Sequence, residues 1–174
     1  MVLTIAIIIV LLGVVLGLAA SKPNEFTVRR STRIKAAPDR IFPQINDFHN
    51  WAAWSPWEKL DATMRKTFSG APSGKGAIYE WEGNSKVGKG RMEIVDASVP
   101  RNVAIKLDFE RPFRANNMAE FTLDPQADST DVTWSMRGGS AFMMKVMGVF
   151  MNMDKLIGRD FEAGLANLKA NAER

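Results

Sequence analysis

The sequence contains no cysteine and a single histidine, His49. The first absence excludes a disulfide framework, a thiolate nucleophile and any cysteine-based metal site, and it leaves the redox compartment unmarked. The second leaves one imidazole with neither a histidine nor a cysteine partner, too little for a zinc-type centre, so neither metal nor cofactor is expected. Flanked by Phe48 and Asn50, His49 reads as a residue that caps or packs a turn. Internal repeats, low-complexity segments and basic clusters are also missing. Lys and Arg number 23 against 19 Asp and Glu, and the net charge of +4 is scattered along the chain. A dispersed excess does not make a nucleic-acid footprint, so no nucleic-acid partner is expected. It suits attraction to anionic lipid headgroups equally well.

Charge is absent altogether from Val2 to Ala20, and at about 1.5 Å per residue a helix over that stretch covers roughly 28 Å. Isoleucine, valine and leucine dominate it, which predicts a transmembrane helix. A cleaved signal peptide is the competing reading. It is disfavoured because no Lys or Arg precedes the apolar run, the run is long, and Leu18-Ala19-Ala20 makes a poor cleavage site. The expected division is therefore an anchor over 1–21, a linker over 22–25 and one domain over 26–174. Lys22, Arg29, Arg30, Arg33 and Lys35 follow the helix while no base precedes it, which places the domain on the cytoplasmic side of a single-pass membrane protein.

Beyond the linker, Phe26 to Ala36 alternates as a first strand. Pro38 opens a short helix that Pro43 should bend or shorten. Six further strands are predicted at Ala62–Phe68, Ala77–Trp81, Gly90–Ala97, Asn102–Glu110, Asn116–Leu123 and Asp131–Arg137, with one face apolar and the other polar, the antiparallel pattern. From Ala141 onward the period becomes helical, with Phe150, Met153, Ile157, Phe161, Leu165 and Leu168 at three- and four-residue steps. Such a helix is the only element long enough to cover a curved sheet, and a bent sheet gripped by a helix leaves room for a cavity. The expected class is α+β, with about seven antiparallel strands wrapped on a long C-terminal helix and one N-terminal transmembrane helix.

Two stretches carry a family resemblance: Trp51-Ala52-Ala53-Trp54-Ser55-Pro56-Trp57, and Met153 to Leu165 (MDKLIGRDFEAGL). Both resemble the START-like superfamily of helix-grip proteins, more closely its bacterial SRPBCC or polyketide cyclase/dehydrase branch, many of whose members carry an N-terminal membrane helix. The resemblance covers roughly Phe26 to Lys169. It implies a helix-grip fold and an apolar ligand cavity between sheet and terminal helix.

Given that cavity, Trp54, Tyr79, Trp81, Phe109, Phe121, Trp134, Met136, Met147 and Phe150 are the expected lining residues. The tryptophans at 51, 54 and 57 suit either a cavity mouth or packing of the connector onto the sheet. Methionines 143, 144, 147, 151 and 153 suit an adaptable wall, core filling, or a lid touching the bilayer. Arg30 shares a strand face with Val28, Thr32 and Ile34; it either holds an acidic ligand group or reaches water near the strand end. Glu80 and Glu82 fall on the wet face, opposite Tyr79 and Trp81, where Lys89 and Arg91 can pair with them. Gly70-Ala71-Pro72-Ser73-Gly74-Lys75-Gly76 lies between strands and lacks phosphate-loop spacing, so it reads as a hairpin loop. The functional expectation is binding of a hydrophobic small molecule, lipid or isoprenoid-like, without covalent chemistry, with membrane lipid as a second partner. The alternatives are a cyclase/dehydrase in which Tyr79, Arg30 or His49 polarises a carbonyl, and a scaffold module that works through its sheet face.

Overall fold

A computed structural model describes residues 2–140 and 142–174, the side chains at 2, 143, 144 and 153 excepted; the expectations for Met143, Met144, Met153 and Ala141 fall outside the described residues. Seven strands form, all but the exposed β2 where apolar and polar residues alternate: β1 (Glu25–Ile34), β2 (Arg65–Gly70), β3 (Ala77–Glu82), β4 (Lys89–Ser98), β5 (Asn102–Arg111), β6 (Ala115–Pro125) and β7 (Thr130–Gly139). They make one open, curved antiparallel sheet in the order β1-β7-β6-β5-β4-β3-β2. Every neighbour is sequential except β1 on β7. Register shifts in β4 at Lys89/Gly90 and at Ile94/Asp96 add the bulges that help to bend it. The second strand starts at Arg65, later than expected, because Asp61 holds the chain in a turn. Its carboxylate accepts from the Thr63 N–H and hydroxyl at 2.9 and 2.7 Å and from the Asn84 N–H at 2.7 Å.

Between β1 and β2 come α2 (Pro38–Asn46) and two 3-10 turns, Phe48–Ala53 and Pro56–Lys59. Pro43 does not stop α2, which runs on to Asn46 and buries Ile41, Phe42 and Ile45 against the sheet. The Trp51 and Trp54 indoles donate to the carbonyls of Ile45 and Gln44 at 3.0 and 2.9 Å, satisfying groups that the end of α2 leaves free.

The helical segment after β7 is two helices, not the single continuous one that the apolar period suggested. α3 (Phe142–Phe150) and α4 (Met153–Ala172) are separated at Asn152, whose side chain caps α4 by accepting from the Lys155 N–H at 3.0 Å. α4 lies across the concave face and buries Phe161, Leu165 and Leu168. α1 (Val2–Ala20) is the one helix among the described residues that is long and apolar enough to cross a membrane. Its large side chains from Leu3 to Leu18 are exposed except Val15, and it packs against α3.

Register fixes which loops share an end of the sheet. Glu25 pairs with Gly139, Phe109 with Ala115, and Glu82 with Lys89. The segment that leads in from α1, the β3–β4 loop, the β5–β6 turn and the start of α3 therefore all lie at one end. The β2–β3 loop, residues 71–76, lies at the other. At the first end Asn24 ties the pieces together: its carbonyl accepts from the Ser140 N–H at 2.7 Å and its side-chain oxygen from Lys145 Nζ at 2.5 Å.

Candidate functional site

A cavity of about 350 Å³ lies between the concave sheet face and the helices. The inward side chains of β3 to β7 make its floor, because alternation turns Tyr79, Trp81, Met92, Phe109, Ala119 and Met136 to the same side. Gly90 leaves room for Trp81 to lie flat, since a Cβ there would meet the indole at 2.6 Å. The helices roof it with Ile157, Asp160 and Phe161 of α4 and Met147 of α3. The inner end is closed by an aromatic stack: Trp134 lies parallel to Phe161 at 4.0 Å and packs on Phe121 at 4.7 Å with the planes inclined by 27°, and Trp57 meets Trp134 edge-on. The lining residues that are exposed to solvent are Lys86, Arg111, Pro112 and Phe113, which places the mouth at the sheet end where α1 joins.

Of the residues the sequence nominated, Tyr79, Trp81, Phe109, Trp134, Met136 and Met147 are on the cavity wall. Four are not. Trp54 and Phe121 are fully buried in the aromatic core behind the wall, where Trp54 packs on Trp51 at 4.7 Å. Phe150 is 72% exposed, because the break at Asn152 takes it out of helical register with Ile157 and Phe161. Arg30 faces inward but is spent on α4: Nε donates to Glu162 at 2.6 Å, and the terminal nitrogens donate to the Asp154 carboxylate at 3.1 Å. Those partners raise the guanidinium further above its already high range, and Arg30 in turn lowers the Asp154 carboxyl. It clamps β1 to the helix. Glu82 pairs with Arg111, while Lys89 and Arg91 pair with Glu110 and Glu93, so the expected ladder has different rungs. His49 is off the cavity, its Nδ1–H donating to the Asp47 carboxylate at 2.8 Å and its ring stacked on Phe68 at 4.2 Å.

The site also holds polar groups that sequence reasoning missed. Glu58 sits on the wall with its side chain only 6% exposed; it accepts the Tyr79 hydroxyl proton at 2.7 Å and is paired with Lys66. Burial, then the bond to Glu58, pushes the Tyr79 hydroxyl well above the usual phenol range, so its proton stays put. Asp160 faces the same space without an ion pair among the described residues, and burial raises its carboxyl above the ordinary carboxylate value. Asn117 completes the group, with its Oδ1 buried and unbonded among the described residues. No cue in the connector marks Glu58. For Asp160 a signal existed but went unused: it lies three residues after Ile157 and four before Gly164 on the inward helix face. Chemically the site is an apolar pocket with a few fixed polar groups, the usual form of a small-molecule site.

A family model described as polyketide cyclase / dehydrase and lipid transport matches residues 25–173. No curated protein sequence matches the chain. Among solved structures, protein CV1439 from Chromobacterium violaceum is 15% identical with a TM-score of 0.63, over 88% of this chain and 99% of that one. Ginseng major latex-like protein 151 from Panax ginseng is 12% identical with a TM-score of 0.62, over 87% and 100%. The di-domain ARO/CYC BexL from the BE-7585A biosynthetic pathway is 14% identical with a TM-score of 0.63, over 91% of this chain and 53% of that one. At these identities the likeness is one of fold, the START/Bet v1-like helix grip.

Proposed function

Because the chain belongs to the polyketide cyclase/dehydrase and lipid transport family, we propose that it binds a hydrophobic small molecule, lipid or isoprenoid-like, while anchored to a membrane by α1. The observation that carries this reading is the cavity itself: about 350 Å³ of space walled by aromatic, methionine and aliphatic side chains and closed at its inner end. An apolar body is favoured there by roughly 25 cal/mol for each Å² removed from water. Glu58 and Asp160 give a polar head of the ligand something to meet. The exposed apolar surface of α1 supports the anchor, since lipid is the solvent in which that surface carries no penalty.

The test is native mass spectrometry of the full chain released from lipid nanodiscs. A retained apolar adduct is expected, and Ala119→Leu, which fills part of the floor, should lose most of it while still unfolding cooperatively. A chain that stays empty, and whose melting temperature does not move with added fatty acid or isoprenoid alcohol, would overturn the reading.

A second reading is a cyclase or dehydrase, favoured by ionisable groups on an apolar wall. Arg30 and His49 stand off the cavity, which leaves Tyr79 as the group to polarise a carbonyl. Tyr79→Phe separates the two readings. Binding without chemistry predicts occupancy within about twofold of the parent, whereas acid–base catalysis predicts a loss of roughly 10²-fold or more in turnover.

A further inference from the structure

We infer that the sheet end carrying the cavity mouth docks on the surface of an anionic bilayer, so that the cavity opens into the headgroup layer instead of into water. The inference rests on α1 spanning that bilayer. Three independent observations converge on this end. α1 enters there through residues 21–24 only, with Asn24 bonded to Ser140 and Lys145, so the end cannot swing far from the membrane. The solvent-exposed part of the cavity lining, Lys86 with Arg111, Pro112 and Phe113, is there as well. Large apolar side chains stand out around it: Phe113 at the β5–β6 turn is 49% exposed and Phe142 on α3 is 52% exposed. Aromatic rings flanking an entry are what a protein seated at the headgroup level presents.

Charge selects the kind of surface. Lys22, Lys86, Arg114 and Lys145 surround this end and make no ion pair among the described residues; of its acids, Glu82 and Glu110 are paired with Arg111 and Lys89, and exposed Glu25 at the start of β1 offsets one of the four bases. The unbalanced charge is positive, which attracts this end to an anionic leaflet. α3 then lies along the interface against α1, with Met147 over the cavity.

The absence of cysteine makes the test direct, since each label has one place to go. Ser85→Cys in the β3–β4 loop and Ser73→Cys in the β2–β3 loop are conservative, exposed, and at opposite ends of the sheet. The full chain carrying either one, labelled with an environment-sensitive fluorophore, is reconstituted in vesicles of phosphatidylcholine and phosphatidylglycerol at 7:3 with a shallow spin-labelled lipid quencher. Quenching at position 85 should exceed that at position 73 at least threefold, and should fall by half or more in pure phosphatidylcholine or with Phe113→Glu. Equal quenching at the two ends of a chain that floats with the vesicles overturns the docking while leaving the anchor and the cavity reading standing. Equal quenching at position 85 in charged and neutral vesicles overturns the anionic partner. A chain that fails to float removes the premise. An empty cavity in the mass spectrometer bears on the ligand alone.

Discussion

Asp160 is a carboxyl on an apolar wall, and burial holds its protonation range above the ordinary one. A carboxyl raised in this way contributes stability below the range in which the unfolded group titrates, near pH 4, and that contribution is lost as pH rises through the folded value. Asp160→Asn should therefore melt higher than the parent at pH 8, and the gap should close near pH 4. An equal gap at both pH values would mean that ionisation is not the cause. Trp54 has the opposite character. It is fully buried, bonds Gln44 through its indole, and touches no part of the cavity. Trp54→Ala should cost about 3–5 kcal/mol in chemical denaturation, and a smaller loss than Phe150→Ala would contradict its place in the core. Neither contrast is visible at the level of single letters. Trp51, Trp54 and Trp57 look alike in sequence, yet the two 3-10 turns and the residues joining them put the first and last against the cavity and the middle one behind it.

At the scale of elements, α4 approaches the sheet through its two glycines. A Cβ at Gly158 would fall on the Arg30 guanidinium, and one at Gly164 would meet the Trp134 ring at 2.9 Å. That ring is pinned between Phe121 and Phe161 and has nowhere to go. Gly164→Leu should lower stability by about 1–3 kcal/mol despite leucine's better helix propensity, read from denaturant midpoints; a more stable variant would show that the helix can lift. Most strands were legible because alternation survives wherever one face is buried; β2, exposed along its whole length, lacks that signal and is the strand whose expected start was furthest off. The division of the terminal helix was not. Apolar period runs through Asn152 unbroken, and only the hydrogen bond that its side chain accepts from the Lys155 N–H reveals a new start.

For the whole molecule, the order of strands follows from joining sequential neighbours, and the one long-range pairing, β1 on β7, leaves the two sheet edges at β1 and β2. The concave face that α4 covers was foreseeable from its apolar residues. The location of the mouth was not, because it depends on which loops the antiparallel register gathers at one end: residues 21–24, 83–88 and 112–114 are far apart in the chain. The same limit hid Glu58, which reaches Tyr79 across 21 positions of sequence.

The bonds that hold Asn24 have a mechanical consequence. Four residues join α1 to the sheet and would span at most about 14 Å if fully drawn out, and Ser140 and Lys145 take up that slack. The connection is thus a bracket and not a leash. A domain mounted in this way cannot ferry cargo across an aqueous gap to a second membrane. Under the proposed anchoring, a ligand in its cavity would be exchanged sideways, with the leaflet that α1 is proposed to cross.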